Sequence, residues 1–142
     1  MKSYITKHLG DNDNFVFNTI KNHPEWYGHN RAIDLMRVQF WDIIDKKCNL
    51  LGFFGCSYRQ LENKNECIIC YVFVKEEYRK QGLFKKLIDF VIDNNTEFEL
   101  ITIGSTWKNE LALSIYSKKF EYLGEDEEEN GTWFSVKNER KE

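Results

Sequence analysis

The feature that most constrains this chain is a double change of hydrophobic period between residues 66 and 105. "ECIICYVFV" (Glu66–Val74) is dense in β-branched and aromatic residues and predicts a strand. After Gly82 the apolar residues fall at helical spacing. Leu83, Leu87, Phe90 and Val91 mark one face, with Phe84 and Ile88 beside it. "DNNTEFE" ends that helix, and "LITIGS" (Leu100–Ser105) reads as a short apolar strand buried on both faces. Strand, helix, strand around residues 68–104 is a βαβ unit, so the sheet contains a parallel pair.

The flanks add antiparallel strands and two more helices. "YITKHL" reads as a first strand. "DNDNFVFNTIKNH" carries cap candidates and then Phe15 and Ile20, and predicts a helix that stops before Pro24. "MRVQFWDII" and "LLGFFGCSYRQL" are strands joined by the polar turn "DKKCN", and "ENKN" turns into the strand at Glu66. Met36–Val74 is thus a three-strand antiparallel meander. "NELALSIYSKKF" predicts a further amphipathic helix with Asn109 as its N-cap, and "EYLGE" and "GTWFSVK" close the chain as strands around "DEEENG". The order is β-α-β-β-β-α-β-α-β-β. The expected fold is mixed α/β (α+β), with a central, mostly antiparallel sheet of six to seven strands and helices on both faces.

With 142 residues, 42% of them hydrophobic and a single proline, the chain suits one globular domain over residues 1–142, with 137–142 read as a disordered tail. A net charge of −3 gives no reason to expect nucleic acid or an anionic membrane as partner. The N-terminal stretch lacks an apolar segment of signal-peptide type, and no apolar run is long enough to span a bilayer, so a cytoplasmic protein is expected. "CIIC" (Cys67–Cys70) has the spacing of a metal or redox pair, but it lies in a strand, where positions three apart point to opposite faces. No metal site is expected, and the four cysteines read as reduced, mostly buried thiols.

Between strand and helix stands Arg79-Lys80-Gln81-Gly82. A helix N-terminus presents unpaired N–H groups and partial positive charge, and a glycine there lets a ligand approach the backbone closely. Basic neighbours complete a site suited to a pyrophosphate. A charged turn opening an ordinary helix would look the same.

With the apolar strand before it and the amphipathic helix after it, this stretch resembles the acetyl-CoA-binding motif of the GCN5-related N-acetyltransferases, (Arg/Gln)-x-x-Gly-x-(Gly/Ala). Here it reads Arg79-Lys80-Gln81-Gly82-Leu83-Phe84, with Phe84 in place of the final small residue. A second segment is similar to the family's Asn-x-x-Ala-x-x-x-Tyr, at Asn109, Ala112 and Tyr116; the Gly-Phe that usually follows is missing, and Phe120 sits one place early. The resemblance covers about residues 1–137. It implies an acetyl-CoA-dependent N-acetyltransferase that moves an acetyl group to a primary amine by direct attack. It also implies that the cofactor lies where the strands "IICYVFV" and "LITIGS" splay apart. Backbone groups of Phe73 and Val74 would pair with the pantetheine arm, and N–H groups of Gln81, Gly82, Leu83 and Phe84, with Arg79 and Lys80, would hold the pyrophosphate. Asn109 would contact the cofactor, an N–H near Val74 would stabilise the oxyanion, and Tyr116 would be the general acid.

Tyr116 could instead be an aromatic core residue. Candidates for the base are Glu66, on a face shared with Ile68, Cys70, Val72 and Val74 and acting through a water; Asp42; or water alone. Glu66 and Asp42 read equally well as solvated strand charges, and a nucleophilic Cys70 has no histidine near it in sequence. "HPEWYGHNR" (His23–Arg31) and the acidic turn "EDEEEN" (Glu125–Asn130) are candidate acceptor walls, the latter favouring a cationic amine. The oligomeric state is read as monomer or homodimer. Two other functions fit the same residues: a non-catalytic binding module on this fold, and a relative that modifies a nucleobase or nucleotide.

Overall fold

The structure is a computed structural model and describes residues 2–23, 38–60, 62–127 and 130–136. Strand β1 (Ser3–Lys7) leads through a 3-10 turn to helix α1 (Asp13–Lys21). Strands β2 (Gln39–Asp45), β3 (Leu50–Gln60) and β4 (Asn65–Val74) follow, then α2 (Leu83–Asn94), β5 (Leu100–Thr106), α3 (Glu110–Lys119), β6 (Glu121–Asp126) and β7 (Gly131–Ser135). This is the element order expected from the sequence. The strands form one seven-stranded sheet in the order β1-β2-β3-β4-β5-β7-β6. Only β4 and β5 pair in parallel; the other neighbours are antiparallel. The loop Pro24–Arg31, the first residues of "MRVQFWDII", Glu128 and Glu129 of the acidic turn, and the tail 137–142 lie outside the described residues. Among the described residues no helix is long and apolar enough to cross a membrane.

Strand alternation splits the core into two layers. One face carries Ile43, Leu51, Phe54, Cys67, Ile69, Ile101 and Ile103 and is covered by α2 and α3. The opposite face carries Phe40, Phe53 and Tyr71 and receives Val16 and Ile20 of α1. Helix α2 buries Leu83, Leu87, Ile88, Val91 and Ile92, each such burial contributing about 1.5–3 kcal/mol. Cys67 and Cys70 pack on opposite faces, as alternation requires.

Three expectations change. First, α3 is barely amphipathic: it buries only Tyr116, while Leu111 and Ile115 are exposed. Second, the face shared by Glu66, Ile68, Cys70, Val72 and Val74 is broken. Between the pairs Phe53↔Phe73 and Gly55↔Cys70, β3 has one residue and β4 has two, a β-bulge at Tyr71 and Val72. Beyond it Val72 and Val74 join the α2 side, with Cys67 and Ile69. Third, Asp42 does not face solvent. It is fully buried, and its carboxylate accepts from Leu9 N–H and Asn12 Nδ2, both at 2.9 Å, and pairs with His8 Nδ1 at 3.0 Å.

Candidate functional site

Strands β4 and β5 pair from Glu66↔Leu100 to Ile69↔Ile103 and then part, although β4 continues to Val74 and β5 to Thr106. The bulge starts where pairing stops. Tyr71 takes φ 56°, a left-handed conformation that a bulky residue adopts only under constraint. The resulting cleft is lined by Ile69–Val72 of β4, Ile103–Ser105 of β5, and Asn109 and Tyr116. Nothing in the sequence marked Tyr71, because a tyrosine inside an apolar run reads as ordinary strand.

The edge of β4 facing the cleft is set by the β3–β4 ladder. Lys75 N–H donates to Leu51 O on β3, and Phe73 lies opposite Phe53. Alternation then turns the N–H and C=O of Val74 away from β3, toward the open side. Its C=O accepts from Arg79 Nε at 2.7 Å, and the Arg79 guanidinium lies 5.8 Å from the Phe73 ring centre. Arg79 therefore ties the loop to the end of β4. Lys80 and Gln81 are exposed. Lys80 (φ 64°) and Gly82 (φ 80°) are both left-handed, and Gly82 opens α2. A Cβ built on Gly82 would meet no atom within 4 Å, so the head of α2 is open to a ligand.

Helix α3 brings two side chains to the cleft. Asn109 caps it as expected, its Oδ1 accepting from Ala112 N–H at 3.2 Å. Tyr116 is 8% exposed, and burial pushes its phenol above its ordinary range, so the hydroxyl is protonated at neutral pH. Leu83 points into the core, while Phe84 turns its ring onto Tyr116 rather than toward the loop.

Glu66 is not brought to this group. It sits on the paired stretch of β4, 4% exposed, with Oε1 accepting from Arg59 Nε and Nη2 at 2.9 and 2.6 Å and Oε2 from Thr102 Oγ1 at 2.9 Å. Asp42 is held at the β1–α1 connection. Cys70 is half-buried at the cleft, and the Cys67 thiol, pushed up by its hydrogen bond to Cys56 and by burial, is poorly suited to react. Trp133, read from the sequence only as part of the last strand, packs beside the cleft, and Asp126 of the acidic turn lies next to it. The Trp133 indole covers Gly104, where an added Cβ would lie 2.5 Å from the ring, and its Nε1 lies 3.4 Å from Asp126 Oδ2. Among the described residues no group of His, Cys, Asp and Glu side chains has the arrangement of a metal site.

A protein-family model described as the acetyltransferase (GNAT) family matches residues 12–136. The chain belongs to the GNAT acetyltransferase family. Curated protein sequences return no match. Solved GNAT structures share the fold at low identity. An aminoglycoside N(6')-acetyltransferase from Legionella pneumophila superposes with TM-score 0.72 at 15% identity, covering 99% of this chain and 96% of that one. A variant of the spermidine N-acetyltransferase SpeG from Vibrio cholerae gives 0.69 at 13% identity, covering 98% and 96%. Arabidopsis thaliana NAA60, solved in complex with acetyl-CoA, gives 0.69 at 13% identity, covering 94% and 97%.

Proposed function

We propose that this GNAT protein is an acetyl-CoA-dependent N-acetyltransferase acting on a primary amine. The observation that carries the reading is the parting of β4 and β5 beyond Ile69 and Ile103, with Tyr116 lining the gap and the loop before the open, glycine-headed end of α2 tied by Arg79 to the end of β4. Acetyl-CoA, when bound, supplies a thioester carbonyl that an amine attacks. Backbone N–H groups of Gln81, Gly82, Leu83 and Phe84 hold the pyrophosphate, and Lys80 adds positive charge. Arg79 acts by fixing the loop on Val74 O. Val74 offers the β4 edge in place of the expected Phe73–Val74 pair, because the Phe73 backbone is turned toward β3, and the Val74 N–H is the donor for developing negative charge on oxygen. Asn109 keeps its Nδ2 group for the cofactor while Oδ1 caps α3. Tyr116 gives its proton to the departing thiolate, and the amine loses its own proton to water. Both Glu66 oxygens are already engaged, which supports a structural role for it.

Asp126 beside Trp133, next to the cleft, supports a cationic acceptor, since an aromatic face and a carboxylate together favour an ammonium group. The free cysteines fit a reducing, cytoplasmic setting. The test is acetyl-CoA binding by titration and thermal shift, on wild type and Gly82→Trp. Binding to wild type should be lost, by at least about tenfold in Kd, in a still-folded mutant, because the indole fills the space open to the pyrophosphate. Thiol release is then measured with spermidine, an aminoglycoside and a peptide N-terminus. Binding without thiol release would leave a cofactor-binding module instead of an enzyme.

A further inference from the structure

The two places where this chain leaves the family's sequence pattern are in contact with each other. Phe84, on the first turn of α2, stands where the pattern has glycine or alanine, and Phe120 stands one place early at the end of α3. The Phe84 ring stacks on Tyr116, with centres 5.8 Å apart and planes at 14°. Phe120 completes the triangle, 6.2 Å from Phe84 and 6.0 Å from Tyr116, and Phe134 meets Tyr116 edge-on at 6.1 Å. The Phe120 N–H also donates to Tyr116 O at 2.9 Å.

Tyr116 needs this support because α3 offers little else. It is the one buried residue of that helix among the described residues. A helix with a broad apolar face fixes each side chain through its neighbours; α3 adds to Tyr116 only the half-buried Ala112 and Leu113. With a small residue at 84, that ring would lie beside a void. With phenylalanine, the stacked pair fixes the plane of the phenol, and the ring at 120 packs against both members of the pair and braces them. Because a Cβ on Gly82 still meets open space, the large residue at 84 does not crowd the loop at the head of α2.

We propose that Phe84 and Phe120 are positioning residues that hold the Tyr116 hydroxyl at the cleft between β4 and β5, each compensating for the other's departure from the family pattern. The proposal rests on the acetyltransferase reading above. Placement of an acid group within about an ångström is worth up to about a hundredfold in rate.

The test is a double-mutant cycle read as thiol released from acetyl-CoA, with spermidine as acceptor, or with water where spermidine is not turned over. Phe84→Ala should lower kcat about tenfold and leave KM for acetyl-CoA within about twofold. In a Tyr116→Phe background the same change should cost less than about twofold, since there is no hydroxyl left to misplace. Phe84→Tyr, which keeps the ring, should retain the rate, and Phe120→Ala should behave as Phe84→Ala does. An equal loss in both backgrounds, or a loss wholly in KM for acetyl-CoA, overturns the proposal. If wild type releases no thiol, it is the acetyltransferase reading that fails. Positioning is then read directly from the tyrosine ring signals of labelled protein by NMR. Phe84→Ala should convert Tyr116 from slow to fast ring flipping, and unchanged signals would overturn it.

Discussion

The Oγ of Ser135 is buried on β7 with no hydrogen-bond partner among the described residues, in a residue 1% exposed. Thr102, its neighbour across the ladder, gives its own hydroxyl to Glu66. Leaving such a group unsatisfied costs about 1–3 kcal/mol, and alanine removes it with little change in shape. Ser135→Ala is therefore expected to raise stability by about 1 kcal/mol, a few degrees in Tm by thermal melt; a lower Tm would show that the hydroxyl is satisfied by water. Glu66 lies two strands away with the opposite fate, since its carboxylate is fully used. Its partner was within reach of sequence reasoning. The short turn "ENKN" sets the β3–β4 register, and that register places Arg59 directly opposite Glu66. What the pattern could not supply was the burial of Glu66, whose second oxygen is taken by Thr102 on β5 while Arg59 stays exposed, so Glu66 looked like a solvated strand end.

At the level of elements, order and type were legible because period 2 and period 3.6 are cleanly separated at Gly82. The errors came from two elements whose local pattern misleads. In β4 the alternation looks unbroken from Glu66 to Val74, yet one extra residue at Tyr71 exchanges the faces beyond it. A bulge carries no signature when its left-handed residue is tyrosine instead of glycine. In α3 the leucines and isoleucine have helical spacing, but Leu111 is 69% exposed, because only the Tyr116 stripe meets the sheet. For the bulge, two opposing effects can be weighed. Tyr71→Gly relieves the left-handed backbone, worth about 1–2 kcal/mol. It also deletes a side chain 7% exposed and packed on Phe40, and losing a buried aromatic costs about 3–5 kcal/mol. The packing loss wins. Urea unfolding should show a net destabilisation of about 2 kcal/mol; a more stable mutant would mean that backbone strain dominates at the bulge.

At the level of the whole molecule, the first helix is attached to the sheet by a charged cluster, and that makes stability depend on pH. Asp42, fully buried on β2, binds His8 at the end of β1 and, through Leu9 N–H and Asn12, the turn into α1. Asp13 at the start of α1 pairs with the other nitrogen of His8. Burial works against charge on His8, but the hydrogen bonds and charges of Asp42 and Asp13 outweigh it and hold its pKa above the ordinary value of 6.5. The folded protein thus binds this proton more tightly than the unfolded chain does. The resulting stabilisation is fully present below the unfolded pKa of about 6.5 and is lost as pH rises through the raised folded value. Tm should fall from pH 6 toward pH 9, and His8→Gln should flatten that slope while lowering Tm at pH 6. Asp13→Asn should shift the fall to lower pH, since one of the two carboxylates that hold the proton is gone. The effect reaches the cleft because α1 packs through Val16 and Ile20 on the cluster that contains Tyr71 of the bulge. Loosening α1 should therefore raise amide exchange in β4 around Tyr71 before it does so in α2, which packs on the opposite face. A wild-type slope retained in His8→Gln would assign the pH dependence to other groups, and uniform exchange across both faces would separate α1 from the bulge.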